Sequence, residues 1–230
     1  MSASDLGGRI GKRLARAGVA SRREAERMVA DGRVAVDGTV VTNPVVKVGP
    51  ESRVTVDGVL LGEPAPSRLW RYHKPKGTPT PFDEQLPPEL RPAIPIGGLG
   101  LYSEGLLLLT NDGDLAQTLQ ERATGWRRQY RVRIFGSVSR DVLARLGDGI
   151  EAAAEPTSRM QVNLDRRSAS ATWLIINLQS DADQIISRSL DQFGLKATRL
   201  IRLTFGPFLL GDLPRGAAEE AKMDEVNLRR

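Results

Sequence analysis

Apolar positions fall into segments of two different periods. Between Arg9 and Arg27, Ile10, Leu14, Ala17, Ala25 and Met28 suggest two short helices, broken near Gly18-Val19-Ala20-Ser21. The second helix is predicted to start at Ser21, because Glu24 three residues later completes a capping box. The period then drops to two. Gly32-Arg33-Val34-Ala35-Val36-Asp37-Gly38 alternates into a turn, and Val40-Val41, Val45-Val46 and Val54-Thr55-Val56 continue the strand signal to Asp57-Gly58. The Pro-rich stretch Gly62-Glu63-Pro64-Ala65-Pro66-Ser67 marks a boundary.

Past that hinge, strands are predicted at Leu69 to Tyr72, Leu106 to Thr110, Tyr130 to Phe135, Met160 to Leu164, Thr172 to Leu178 and Leu200 to Phe205. Helices are predicted from Leu115, from Arg140 to Leu146, and from Ala182 to Phe193 with a stop at Gly194. Thr78 to Pro92, with five prolines, reads as loop. Strands outnumber helices, so the expected class is α+β with a mixed, mostly antiparallel sheet. The expected domains are a helix-hairpin module over 9–60, a sheet domain over 68–216 and a charged, fraying tail over 217–230.

Composition narrows the chemistry. The 230 residues are 40% hydrophobic and 27% charged, the profile of a globular protein. No run approaches the roughly 18 apolar residues of a membrane span. Met1 to Gly8 is polar, so secretion is not indicated and a cytoplasmic location is expected. Cysteine is absent, which excludes disulfides and thiol catalysis, and His73 is the single histidine, which argues against a zinc enzyme or a histidine triad. The net charge of +5 is modest, so the position of the cations matters more than their number.

Arg9, Lys12, Arg13, Arg16, Arg22, Arg23 and Arg27 crowd the two helices. Arg122, Arg127, Arg128, Arg131 and Arg133 interleave with Trp126 and Tyr130, and Lys196, Arg199 and Arg202 form a third cluster. Arginines beside aromatic rings suit phosphates and unstacked bases, and equally suit a solvated strand face with Tyr130 in the core.

The segment Arg9-Ile10-Gly11-Lys12-Arg13-Leu14-Ala15-Arg16-Ala17-Gly18-Val19-Ala20-Ser21-Arg22-Arg23-Glu24-Ala25-Glu26, continued by Gly32 to Gly38, resembles the small RNA-binding module of the ribosomal protein S-four type. Lys74-Pro75-Lys76-Gly77, Gly105-Leu106-Leu107-Leu108-Leu109-Thr110-Asn111-Asp112-Gly113, Arg128-Gln129-Tyr130-Arg131-Val132, and Arg199-Leu200-Ile201-Arg202 through Gly206-Pro207-Phe208 resemble ribosomal-RNA pseudouridine synthases of the RsuA/RluB type. The resemblance implies a pseudouridine synthase fold and isomerisation of a uridine in rRNA without cofactor or metal. It also implies one aspartate acting at the ribose, a basic partner for that carboxylate, and a tyrosine packed on the base. Tyr130 matches the tyrosine. Arg9, Lys12, Arg13, Arg16, Arg22, Arg23, Arg27, Lys74, Lys76, Arg127, Arg128 and Arg131 are the expected RNA contacts, and rRNA or a ribosomal precursor is the expected partner of a monomer.

Three departures alter this expectation. The family's G-R-L-D reads Gly97-Gly98-Leu99-Gly100 here, so Gly100 stands at the aspartate position and Gly98 at the arginine. The family's G-K-N-R-E-V-R-R reads Asp181-Ala182-Asp183-Gln184-Ile185-Ile186-Ser187-Arg188, so Ser187 stands at the basic partner. The loop after Gly77 is about ten residues shorter than the resemblance implies. Loss of both partners together avoids the roughly 3–5 kcal/mol cost of one uncompensated buried charge. Asp181 and Asp183 would repel phosphates where the family attracts them.

The expected function is therefore rRNA binding with impaired or absent isomerase chemistry. An active synthase using another acid, such as Glu104 or Asp112, is the alternative, and a DNA-binding regulator using the first two helices is the third reading.

Overall fold

The structure is a computed structural model and describes residues 8–63, 65–80, 86, 90, 93–123, 125–147, 150–152, 155–168, 170–179 and 183–222. Most of the proline-rich loop, Asp181 and the tail beyond 222 lie outside these residues, as does the side chain of Arg122. The chain divides into two compact units, Met1–Ser67 with Asn111–Gly113, and Arg68–Thr110 with Asp114–Arg230.

The first unit runs β1 (Gly8–Arg9), α1 (Ile10–Arg16), α2 (Arg22–Ala30), β2 (Val34–Val36), β3 (Thr39–Val41), β4 (Lys47–Val48), β5 (Val54–Val56) and β6 (Val59–Leu60). Four of these strands form a sheet in the order β3-β2-β5-β6, while β1 pairs with β4. The Ser21 hydroxyl accepts the Glu24 N–H at 3.3 Å, as the capping box requires. Both hairpins turn through Asp-Gly with positive φ at each residue: 50° and 84° at Asp37-Gly38, 49° and 80° at Asp57-Gly58. That is the type I′ geometry that matches strand twist, and a bulkier pair would resist it. Ile10 and Leu14 from α1 and Ala25, Met28 and Val29 from α2 pack with Val34, Val48 and Val54 as the core.

The second unit contains β7 (Leu69–Lys74), β8 (Ile94–Ile96), β9 (Glu104–Thr110), α3 (Gly113–Ala123), β10 (Arg128–Phe135), α4 (Arg140–Gly147), β11 (Ile150–Ala152), β12 (Glu155–Arg167), β13 (Ala171–Leu178), α5 (Asp183–Asp191), β14 (Ala197–Phe205), β15 (Phe208–Leu209) and β16 (Ala218–Glu220). Its sheet has the order β11-β12-β13-β10-β14-β9-β7-β16, with β15 on β14 and β8 on β9. Among the described strands only β14 and β9 pair in parallel. The expected α+β class with a mixed, mostly antiparallel sheet is the class observed.

All seven residues of β9 are buried because both faces are covered. Leu107 and Leu109 join Tyr130, Val132, Leu174 and Ile186 on one side. Leu106 and Leu108 join Leu115 and Leu119 of α3 with Phe205 and Phe208 on the other. Each such leucine contributes roughly 1.5–3 kcal/mol of burial. Gly105 interrupts the leucines for a steric reason: a β-carbon there would lie 2.4 Å from the Arg202 carbonyl oxygen, and its φ is +110°. The tail does not begin to fray at 217, because Ala218–Glu220 adds an antiparallel edge strand to β7 and Glu220 takes a forked pair with Arg68. No helix among the described residues is long and apolar enough to cross a membrane.

Candidate active site

The site is organised around the peptide at Gly100, in the turn between β8 and β9. Its N–H donates to Asp183 Oδ2 at 2.9 Å, and its carbonyl accepts from Lys74 Nζ at 2.9 Å. Lys74 ends β7 and is completely buried, and its ammonium also donates to the Ser103 carbonyl at 2.9 Å. The neighbouring glycine is held in a similar way, since the Gly98 carbonyl accepts from Arg202 at 2.7 Å. Arg202 is fully buried in β14 and also donates to the Leu106 carbonyl at 2.7 Å. Tyr130 of β10 sits directly opposite Arg202 across the strand pair. Its ring has no exposure, and its hydroxyl has no hydrogen-bond partner among the described residues.

Burial sets the electrostatics. It pulls the Lys74 amine down to about 8, against the opposing pull of the Asp183 carboxylate. It also pushes the Tyr130 phenol up. Asp183 is the first residue of α5, where a carboxylate is favoured by the partial positive charge of the helix N-terminus. Only 6% of Asp183 is exposed. A β-carbon built on Gly100 would lie 3.1 Å and 3.4 Å from its two oxygens. Gly100 thus offers no side chain of its own and is faced by a carboxylate from another element. Ser187 follows Asp183 by four residues on α5, so it lies one turn on along the same helix face, half-buried.

Sequence reasoning missed Asp183 as part of this site and read it as a charge repelling phosphates. The available signal was an aspartate, Asp183, within the block that the resemblance matches to a basic stretch. The acids that were weighed stand elsewhere. Glu104 belongs to the other sheet face and pairs with Arg199 and Arg215. Asp112 lies in the first unit, accepting from Ser67 and pairing with Arg16 at 3.3 Å.

The expected RNA contacts divide by exposure. Arg9, Arg22, Arg23 and Arg27 are exposed, while Lys12, Arg13 and Arg16 are half-buried. Arg13 donates to the Gly49 carbonyl at 2.5 Å, so it also braces the hairpin module. Lys76 and Arg127 are exposed. Lys74 and Arg128 are inside the fold, which corrects their expected surface role: backbone carbonyls take the Lys74 ammonium, and Arg128 donates to the Trp126 carbonyl at 2.8 Å and stacks on Phe205. Arg131 is paired with Asp165 at 2.8 Å and stacked on Trp173. Trp126 packs edge-on against Phe205, so it is not a free stacking surface. Trp173 is half-buried on the opposite sheet face.

Residues 8–54 match the model of the S4 domain. An RNA pseudouridine synthase of Rickettsia felis is 34% identical over 221 residues, covering 92% of this chain and 96% of the relative. The ribosomal large subunit pseudouridine synthase B of Salmonella typhimurium is 33% identical over 240 residues, covering 96% and 82%. A crystal structure of a pseudouridylate synthase superposes with a TM-score of 0.60 at 19% identity, covering 96% of this chain and 98% of that one, a likeness of fold. An S4 domain followed by this sheet, with a third of its residues shared over nearly the full length, places the chain in the RNA pseudouridine synthase family.

Proposed function

We propose that the chain docks on ribosomal RNA or a ribosomal precursor through its S4 domain and performs little or no uridine isomerisation. The observation carrying this reading is the contact between Gly100 and Asp183. The backbone that would present the family's aspartate has no side chain, and the carboxylate facing it is fixed by the Gly100 N–H at 2.9 Å. Reacting atoms must align at about 3–3.5 Å in a pocket that admits the flipped base. Here Leu99, Tyr130 and Asp183 are each buried, and Gly100 is partly buried. Asp183 also serves as counter-charge to the buried Lys74.

A second reading has one observation in its favour. Asp183 oxygens lie within 3.4 Å of the vacated β-carbon position, so Asp183 itself is the candidate acid of an active synthase. Incubation with rRNA fragments and assay for pseudouridine separates the two. No product with retained RNA binding is the expected result. Turnover that disappears in Asp183→Asn establishes the second reading. Preference for duplex DNA over rRNA at matched salt would overturn both.

A further inference from the structure

On β10, Arg131 and Arg133 alternate with Tyr130 and Val132 and so project from the sheet face opposite the Gly100 site. Arg133 is register-paired with Trp173 on one side and with Arg199 on the other, giving a row of Trp, Arg and Arg across β13, β10 and β14. Lys76, Glu104, Thr198 and Arg215 complete the lining of an open groove of about 470 Å³. Four cations thus converge on a cleft whose one lining carboxylate is Glu104.

The cations are held in place. Glu104 is buried and joins Arg199 to Arg215, the latter at 3.5 Å. Arg199 lies 6.0 Å from the centre of the Trp173 ring, and Arg133 donates to the Thr198 hydroxyl at 3.3 Å. Lys76 Nζ reaches the Thr198 carbonyl at 3.5 Å. Each guanidinium carries five N–H groups, and these contacts leave most of those of Arg133 and Arg215 unused. Like charges directly opposite one another on a sheet are unfavourable. Arg133 facing Arg199, with Lys76 and Arg215 beside them, therefore leaves positive charge that a bound anion would neutralise.

We infer that this groove binds the phosphate backbone of an RNA strand and forms a second RNA contact, separate from the S4 domain in sequence and in compact unit. The inference rests on the proposed RNA-binding function and assigns the second unit a part in it. Guanidinium forks suit phosphate oxygens, and contact with the backbone rather than with base edges makes the site tolerant of sequence.

The test uses the full chain and a labelled single-stranded RNA, with binding followed by fluorescence anisotropy across a salt series. Arg133→Ala with Arg215→Ala is expected to weaken binding roughly tenfold and to make the salt dependence shallower by about 1.4. Circular dichroism of that variant is expected to match the unsubstituted chain. Arg22→Ala with Arg23→Ala in the S4 domain serves as the separate arm. If the S4 variant loses affinity while the groove variant keeps both affinity and salt slope, the groove inference falls and RNA binding stands. If the unsubstituted chain does not bind RNA, both fall. Uridine monophosphate carries the same phosphate without the strand, and about tenfold excess over the RNA is expected to leave the complex intact. Displacement at that level would assign the groove to a free nucleotide and overturn the strand.

Discussion

Gly100→Asp is expected to destabilise the protein, although aspartate is the residue that the proposed motif register puts at this position. Gly100 is not among the positive-φ glycines, so its backbone accepts a side chain and the obstacle is the occupant. The new β-carbon would stand 3.1 Å from Asp183 Oδ2, closer than ordinary contact, and would carry a second carboxylate toward the first. Two carboxylates about 4 Å apart repel by roughly 4 kcal/mol at an effective dielectric of 20. Uptake of a proton by one of them relieves part of this, leaving a cost of about 2–4 kcal/mol at neutral pH. The shared proton raises one carboxyl in the folded state. The penalty is therefore absent below about pH 4, grows through the raised value and is complete above it. Asp183→Asn removes the repulsion and keeps an oxygen for the Gly100 N–H. Alone it costs about 1–2 kcal/mol through the weakened bond and the lost counter-charge of Lys74. The two changes together should lie within about 1 kcal/mol of the starting protein. Urea unfolding of Gly100→Ala, Gly100→Asp, Asp183→Asn and the double variant at neutral and acidic pH measures the cycle. Additive effects, or Gly100→Asp no worse than Gly100→Ala, would refute the reasoning.

Lys74→Met isolates the buried amine. The folded chain releases its proton at about 8 while the unfolded chain holds it to about 10.5, so stability of the unsubstituted protein should rise with pH between those values. The variant should lack that rise, and parallel denaturation profiles from pH 7.5 to 9.5 would contradict the assignment. Gly105→Ala places a methyl 2.4 Å from the Arg202 backbone at a φ of +110°, and a loss of more than about 3 kcal/mol or failure to fold is expected in thermal melts. Ser21→Ala removes the cap of α2 and should cost about 1 kcal/mol, read as a lowered melting temperature.

The parts of the structure legible in the sequence are those governed by neighbours along the chain. The Ser21–Glu24 cap, the Asp37-Gly38 and Asp57-Gly58 turns, and the strand over Tyr130 to Phe135 each obey a rule spanning a few residues, and each is present, the strand starting two residues earlier at Arg128. The short strand Ile94–Ile96 went unread because Pro95 within it masks the strand signal; it is tolerated because, among the described residues, β8 is an edge strand paired with β9 alone. Glu155–Arg167 is far longer than the five residues expected, since its polar positions do not alternate cleanly yet still bond to β11 and β13. At the candidate site, motif register singles out Gly100, Ser187 and Tyr130 as expectations. It could not show that the Asp183 carboxylate, 83 residues from Gly100, would accept that peptide's N–H, because no local pattern encodes a contact made by tertiary packing. Burial of Lys74 and Arg128 was hidden for the same reason: a cation in the sequence carries no mark of the carbonyls that will surround it.

The most direct measurement is pseudouridine itself. Purified protein is incubated with rRNA transcripts, the RNA is labelled with a reagent selective for pseudouridine, and mass-shifted fragments are counted against a protein-free blank. Fragments from the unsubstituted chain should equal the blank. A pseudouridine-specific mass shift above the blank, made by the chain with Gly100 and Asp183 unaltered, would contradict the account.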